Sequence, residues 1–399
     1  MMRSTHTPPS RNGPARWRSW LALLGAVSAC AALAQELPKA AVRPVEEVFF
    51  GTRVSDPYRY FENLKDPEVA HWIKAHSEHA FGVLNRINGR DALLAQLTAY
   101  DEATAARVGS ATRTSNGLWF YEKRGAKDNQ FKLMVRQGLD GPEQLLVDPG
   151  AIEKRSGKPH AINYFAPSPD GRYVAYGLSK QGSESASLYV LDVKRGRTLG
   201  KPISRADFGS PDWAPDSRSL HFVRLQALRP GMPETEKYQR AAVYRLDVAR
   251  GRLAAQPAFD YRSAGVDMTP AEIPFLTTTH DGHWMLGVAA NGTQRELKAF
   301  IAPAQDVLRG KARWQRVVDT SDEVTGITYM NDALYLLSHK DAPRFAIKRL
   351  DLPARATAAA EVVVAQSQRV LTGIAAASDA LYVEARDGNV KRLAKLGYH

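Results

Sequence analysis

Residues able to carry catalysis are sparse in this sequence of 399 residues. A serine nucleophile of the hydrolase type needs Gly-x-Ser-x-Gly at a strand-to-helix turn, where the serine stands beside an oxyanion hole. That pentapeptide does not occur in the sequence. The nearest match begins at Gly177, but the glycine that follows Ser179 comes one residue too late, at Gly182. We interpret this stretch as a strand-to-strand loop and predict no catalytic residue in the chain.

Three histidines, His71, His76 and His79, fall on one predicted helix, where a metal site would be the chemistry to consider. Their spacings of five and three residues, without a carboxylate in a recognised arrangement, argue against it. We expect exposed histidines on a helix surface instead. The sequence also lacks His-Glu-x-x-His and the phosphate-binding Gly-x-x-x-x-Gly-Lys-Ser/Thr. We therefore predict neither a metal site nor a cofactor.

His280 and His283 form a second group, because both flank the dipeptide Asp281-Gly282. A general base or a pair of metal ligands is one interpretation. Asp-Gly is also a frequent tight-turn dipeptide, since glycine adopts positive φ without steric cost and aspartate tolerates it. We interpret the two histidines as residues that flank a turn.

The single cysteine, Cys30, lies in an N-terminal segment with the pattern of an export signal. Residues 1–18 are polar and basic without an acid, and residues 20–29 are an apolar run too short to span a bilayer comfortably. Residues 32–34 then fit a small-x-small cleavage site. We predict a signal peptide over residues 1–34, with no transmembrane segment after its removal.

The same segment leaves three destinations open. Residues 27–30 resemble the bacterial lipoprotein box, in which Cys30 would become the lipidated first residue. We predict a soluble, exported protein of the periplasm, with a lipoprotein anchored through Cys30 or a secreted protein as alternatives. In the soluble case the mature chain has no thiol, which excludes disulfides and cysteine chemistry.

The basic charge of the chain is a weak indicator of partners. Removal of the four arginines in the signal lowers the formal net charge from +12 to +8. The remaining lysines and arginines are scattered, and no stripe combines aromatic with basic residues as a nucleic-acid surface does. We predict no nucleic-acid partner.

A turn followed by a strand recurs along most of the sequence and would position any site. The residues Ser168-Pro169-Asp170-Gly171 precede an aromatic and β-branched strand, and similar turns recur at steps of 46 to 65 residues, at positions 116, 170, 216, 281, 332 and 379. Repeats of about 40 to 50 residues with several short strands are typical of β-propeller blades. One large β-sandwich is the alternative, but it does not require turn and strand to return in the same order.

We therefore predict a mainly β fold, a β-propeller of about six to seven blades over residues 107–399, with its last part missing. Residues 35–106 differ from this pattern and predict a short helical segment. Asp66-Pro67 begins a helix with proline at its first position, and a second helix begins near Arg90.

Several of these stretches resemble the prolyl oligopeptidase family of serine peptidases. They are residues 56–62, residues 89–91, residues 165–171 and residues 341–344, and together they extend the likeness over nearly all of the mature chain. Tyr60-Phe61 departs mildly from the Trp-Leu usual in the family. The resemblance implies a seven-bladed propeller that caps an α/β-hydrolase domain and filters substrates by size. It also implies that the N-terminal helices pack on that domain, so Trp72, Ile73, Leu94 and Leu97 would lose cover without it.

The resemblance places Ser, Asp and His of the catalytic site after the propeller, where no residue of this chain matches them. We expect this chain to be the N-terminal and propeller portion of an exported peptidase, inactive alone, that gates short peptides to a separate or lost hydrolase domain. The alternatives are a stand-alone periplasmic propeller that binds a protein or peptide, and a different enzyme that uses the propeller itself.

Overall fold

The computed structural model describes residues 37–248, 255–353 and 359–398. The chain divides into two units, one ending at Tyr100 and the other beginning at Asp101. The first unit carries a strand hairpin and helices, and the second unit is built almost entirely of β-strands.

The first unit begins with the antiparallel strands β1 (Val45–Phe49) and β2 (Thr52–Asp56). Two helices follow, α1 (Pro67–Leu84) and α2 (Arg90–Glu102), and the last residues of α2 belong to the second unit. The Asp66 side chain caps α1 by accepting a hydrogen bond from the Glu68 N–H at 2.8 Å, and proline takes the first turn, where no intrahelical donor is needed. The predicted start of this helix is therefore confirmed.

Aromatic rings pack around Trp72 in the first unit. Phe61 meets it edge-on with ring centroids 5.0 Å apart, and the His76 ring stacks on it with ring centroids 3.9 Å apart. A ring nitrogen of His76 also lies 3.0 Å from the carbonyl oxygen of Pro38. The expectation of exposed histidines holds for His71 and His79 but is wrong for His76, because Trp72 and a backbone carbonyl hold its half-buried ring.

The apolar side chains of the two helices are unevenly covered. Trp72 is half-buried, whereas Ile73, Leu94 and Leu97 are 39%, 52% and 56% exposed. Each large apolar side chain left in water forgoes about 1.5–3 kcal/mol of burial. The helices of this unit therefore present an apolar surface among the described residues.

The described part of the second unit forms six antiparallel sheets, each a meander in sequence order, which we number as blades one to six. The strands of the first three blades are β3 (Ala106–Arg113), β4 (Leu118–Gly125), β5 (Lys132–Gln137) and β6 (Gln144–Val147); β7 (His160–Pro167), β8 (Tyr173–Lys180), β9 (Ser187–Asp192) and β10 (Arg197–Ile203); β11 (Asp212–Trp213), β12 (Ser219–Arg224), β13 (Ala242–Asp247) and β14 (Ala255–Phe259). A short helix, α3 (Pro149–Ser156), connects the first blade to the second.

The other three blades follow the same plan. Their strands are β15 (Ile273–Thr278), β16 (Trp284–Ala290), β17 (Lys298–Pro303) and β18 (Gln315–Val318); β19 (Val324–Met330), β20 (Ala333–Ser338), β21 (Ala346–Asp351) and β22 (Glu361–Val364); β23 (Val370–Ala377), β24 (Ala380–Asp387) and β25 (Val390–Leu396). A one-turn helix, α4 (Ala304–Leu308), follows β17. Among the described residues, the sixth blade has three strands and each of the others has four. The prediction of a mainly β fold with a propeller of about six to seven blades is confirmed, and the described residues form six of them.

All six predicted turns lie between the first and second strands of a blade. In the second blade the Gly171 N–H donates to the carbonyl of Ser168, and Gly171 adopts φ +66° as the turn requires. The structure of the stretch from Gly177 to Ser179 differs from the one that we predicted. It lies inside β8 and is buried, so our interpretation of it as a loop was wrong. The apolar residues Tyr173 to Tyr176 begin the strand, and its pairing with β7 continues through Ser179.

Five clusters of buried side chains fill the spaces between successive blades. The strand β8 contributes side chains to two of these clusters. Val174 and Tyr176 pack toward the first blade, and Tyr173 and Ala175 pack toward the third. Alternate residues of a strand point to opposite faces, so a strand between two neighbours must be apolar on both. The core of the propeller therefore lies between the blades.

Candidate functional site

The first strands of the first three blades border a cavity of about 370 Å³. Within the described ranges, each of these strands, β3, β7 and β11, has a strand partner along one edge only. Propeller blades are arranged around a central channel, and first strands from consecutive blades meet at this cavity. Its lining residues are Thr112, Arg113, Thr114, Ser115, Phe165, Ala166, Pro167, Ser168, Pro169, Pro211, Asp212 and Trp213.

Hydrogen bonds between blades fix much of the cavity wall. The Ser115 hydroxyl donates to the carbonyl of Pro169 at 2.9 Å, which joins the first blade to the second. The Trp213 indole N–H donates to the carbonyl of Ala166 at 2.9 Å, which joins the third blade to the second. These lining groups are committed to the fold, so they hold the cavity open in one shape and are not the groups that a ligand would meet first.

The cavity carries two charged side chains of opposite sign, Arg113 and Asp212. Arg113 is the last residue of β3 and is exposed, and its guanidinium makes no hydrogen bond or ion pair within the described ranges. Asp212 begins β11, and its Oδ2 accepts a hydrogen bond of 2.8 Å from the Thr278 N–H of the fourth blade. Burial raises the pKa of the Asp212 carboxyl to about 6, because only a neutral donor offsets the loss of water.

Two further polar residues share the sheet face of Asp212. His221 on β12 lies directly opposite Asp212 and directly opposite Arg245 on β13. His221 is 1% exposed, and neither ring nitrogen has a hydrogen-bond partner among the described protein atoms. Burial, with the nearby charge of Arg245, lowers the pKa of His221 to about 4. The imidazole is therefore neutral at physiological pH.

Sequence reasoning missed this row of Asp212, His221 and Arg245. The three residues are separated along the chain, and only the register of β11, β12 and β13 brings them side by side. The sequence signal that was available is Asp212 itself, a carboxylate placed between proline and the buried Trp213. An acid at the start of a predicted strand does not by itself indicate a site.

The histidine group of the fourth blade turns out to be a link between blades. His283 Nδ1 lies 3.5 Å from a carboxylate oxygen of Asp281 and 3.5 Å from one of Asp332, in the turn of the fifth blade. The Trp284 indole N–H donates to Asp332 at 3.0 Å, and the Tyr329 hydroxyl contacts both carboxylates.

These ligand atoms lie within 4.8 Å of one another, so Asp281, His283 and Asp332 have the atom types and spacing to hold a metal ion. The three residues are exposed, and the carboxylate oxygens already accept hydrogen bonds from neighbouring side chains. We assign the group to the connection between the fourth and fifth blades. His280 lies beside it, with its ring 5.6 Å from that of Tyr329.

The predicted lipidation residue, Cys30, and the predicted signal over residues 1–34 lie outside the described residues. Within the described ranges, no helix combines the length and apolar character needed to cross a membrane.

The fold defines the chain as a β-propeller protein preceded by a helical segment. Residues 38–396 match the family model described as the prolyl oligopeptidase N-terminal β-propeller domain. The chain belongs to this family, and the resemblance drawn from its motifs is confirmed.

Individual relatives agree with this assignment. The prolyl endopeptidase of Elizabethkingia meningoseptica is 22% identical over 302 residues, which cover 74% of this chain and 40% of that protein. The uncharacterized peptidase y4sO of Sinorhizobium fredii is 29% identical over 198 residues, 49% of this chain and 26% of that protein. A solved prolyl endopeptidase structure superposes with a TM-score of 0.76 at 22% identity, over 90% of this chain and 51% of that one. The chain thus spans about half or less of the length of these relatives.

Proposed function

We propose that this chain is the propeller portion of an exported serine peptidase of the prolyl oligopeptidase type, and that it gates short peptides to a catalytic domain. The observation that carries the proposal is the cavity of about 370 Å³ at the first strands of three blades, in a chain that belongs to this family. A passage lined by first strands admits an extended peptide and excludes a folded protein, because a folded protein is far wider than a single strand.

The catalytic chemistry in this proposal comes from an α/β-hydrolase domain on another part of a longer protein or on a separate chain. The apolar surface of the first unit supports such a partner. Leu94 and Leu97 are more than half exposed, and contiguous exposed apolar surface marks interaction sites. The propeller itself supplies no nucleophile in this scheme, so its contribution is selection of substrates and not bond cleavage.

The test compares one cleavage sequence in two contexts. The tagged chain is isolated together with its serine hydrolase, and hydrolysis is measured for a short prolyl peptide and for the same sequence displayed on a folded protein. The proposal expects rapid cleavage of the peptide and little cleavage of the folded protein. Equal rates for both substrates would contradict a gating role. A control with the hydrolase alone, where it can be separated, should cleave both.

Export is the second part of the proposal. The basic residues, the apolar run and the small-x-small site of residues 1–34 support it. Cell fractionation followed by mass spectrometry of the N-terminal peptide tests it. A soluble periplasmic protein would begin at Gln35, and a lipoprotein would begin at a lipidated Cys30 in the membrane fraction. An intact Met1 in the cytoplasmic fraction would contradict export.

A further inference from the structure

We infer that the cavity between the first three blades binds a short peptide by its two free ends, with Asp212 taking the α-ammonium and Arg113 taking the α-carboxylate. The inference rests on the proposed role of the cavity as a route for peptides, and it names the class of peptide. The ligand is a zwitterionic chain of two or three residues, not a segment in the middle of a long polypeptide.

The first argument is the pairing of charges. Arg113 and Asp212 border one cavity, and they are its charged side chains. No hydrogen bond or ion pair engages the Arg113 guanidinium within the described part of the chain, and Asp212 has a backbone amide of the fourth blade as its partner. A guanidinium recognises a carboxylate through paired N–H donors, and a half-buried carboxylate favours a cation with several donors. A ligand that offers both groups satisfies both side chains at once.

The second argument is the position of Asp212. Its carboxylate is held by the Thr278 N–H and is poorly supplied with water, as its raised pKa reflects. An ammonium group that replaced the missing water would interact with it more strongly than at an exposed site. His221 on the same sheet face is neutral at physiological pH and does not supply that positive charge.

The third argument is the cavity wall between the two charges. The strand β7 of the second blade contributes Phe165, Ala166 and Pro167 to this wall. Pro167 has no backbone N–H and the Ala166 carbonyl already accepts a hydrogen bond from Trp213, so this wall is mainly apolar and the charged ends of the cavity are left to recognise the ligand. A cavity of about 370 Å³ lies at the lower end of the range of small-ligand sites, so its volume limits the ligand to a few residues.

The experiment is calorimetric titration of the mature chain with the tripeptide Ala-Ala-Ala in four forms. These are the free peptide, its N-acetyl form, its C-terminal amide and the form blocked at both ends. We expect the free peptide to bind and each single block to weaken binding at least about tenfold, because each removes a hydrogen-bonded charge. Equal affinity of free and blocked peptides, or no binding of the free peptide, would overturn the inference.

Two variants assign each end to its residue. In Asp212→Asn, acetylation of the peptide should no longer matter, while amidation still weakens binding. In Arg113→Gln the pattern should be reversed. Asp216→Asn and Arg172→Gln serve as matched controls, since both residues lie in neighbouring turns and neither lines the cavity. Controls that reproduce the effect of the cavity variants would contradict the assignment.

The outcome also separates this inference from the gating proposal. Binding of the free tripeptide by a chain that associates with no hydrolase would keep the binding site and remove the gating role. Size-selective hydrolysis that is unchanged in both cavity variants, with no difference between free and blocked peptides, would keep the gating role and remove the binding site.

Discussion

Tyr164 lies directly opposite Gly177 across the β7–β8 pair, and its ring covers the glycine. A Cβ added to Gly177 would lie 2.3 Å from the ring carbons Cε1 and Cζ of Tyr164. Gly209 faces the same ring, where a Cβ would lie 2.3 Å from Cδ1. The Tyr164 hydroxyl donates to the carbonyl of Ala206 at 2.8 Å. The ring therefore joins the second blade to the segment that leads into the third.

The contact predicts a specific cost for Gly177→Ala. We expect the substitution to lower the free energy of unfolding by about 1–3 kcal/mol, because overpacking against a fixed ring forces the backbone apart. In a Tyr164→Ala background the additional cost should disappear, since the ring is gone. Urea denaturation of the wild type, the two single variants and the double variant gives the coupling free energy between the two residues. Gly109→Ala is the control, because a Cβ there meets nothing within 4 Å. The same cost in both backgrounds would contradict the contact.

Asp212 and His221 predict opposite contributions to the pH dependence of stability. The pKa of Asp212 is raised from 3.8 to about 6, so the folded state holds a proton that the unfolded state releases. Lowering the pH through this window stabilises the fold. The pKa of His221 is lowered from 6.5 to about 4, so the unfolded state binds a proton that the folded state does not. Lowering the pH from 6.5 to 4 therefore destabilises the fold.

Replacing either Asp212 or His221 should leave the pH dependence of stability that the other residue contributes. In Asp212→Asn the free energy of unfolding should fall more steeply than in the wild type between pH 6.5 and 4, by about 2 kcal/mol over the window. In His221→Gln the free energy of unfolding should fall less steeply than in the wild type over the same pH range, or rise. Thermal melts over this range measure both, and Asp216→Asn, in an exposed turn, should run parallel to the wild type. Parallel curves for all three variants would contradict the buried titrations.

The turn of the first blade is joined to that of the second by Asn116. Its side-chain N–H donates to the carbonyl of Asp170 at 2.7 Å. Asn116→Ala should lower the free energy of unfolding by about 0.5–1.5 kcal/mol, because the bond between blades is lost. Asn291→Ala in a loop of the fourth blade is the control, since it is equally exposed. The pair is compared by urea denaturation, and an equal effect of both substitutions would show that the link carries no stability.

The exposed leucines of α2 predict self-association of the isolated chain. Leu94 and Leu97 are 52% and 56% exposed, so each can be replaced by lysine with little loss of packing. We expect Leu94→Lys with Leu97→Lys to shift the sedimentation profile toward monomer, because an apolar contact surface is interrupted. Gln96→Lys with Thr98→Lys adds the same two charges on the same helix without removing an apolar group. Unchanged sedimentation in the leucine variant would contradict association through this surface.

Local sequence was sufficient for the parts of the fold that depend on local chemistry. The Asp-Gly turns at Asp170 and Asp281 and the capped helix at Asp66 follow from turn and capping preferences, and each was predicted where it lies. The error at Ser179 has a physical cause. A serine next to lysine and glycine has the composition of a loop, but tertiary packing between two blades buries it within a strand.

The candidate site was not predictable in the same way. Asp212 meets His221 through strand register, and His283 meets Asp332 through the packing of two blades. Neither relationship leaves a pattern in a single sequence, because long-range pairing is decided by the whole fold. The recurring turns did predict the class of the fold, since turns that return at blade-sized intervals reflect a repeated structural unit.

The central claim, that this propeller serves a serine peptidase, is tested most directly by labelling. The tagged chain is isolated from the cell envelope fraction of its source and treated with a fluorophosphonate, which reacts covalently with active serine hydrolases. The account predicts one labelled hydrolase bound to the chain, or part of the same longer polypeptide, together with cleavage of a short prolyl peptide. An isolated chain with no labelled hydrolase and no cleavage would contradict the account and favour a propeller that binds peptides without catalysis.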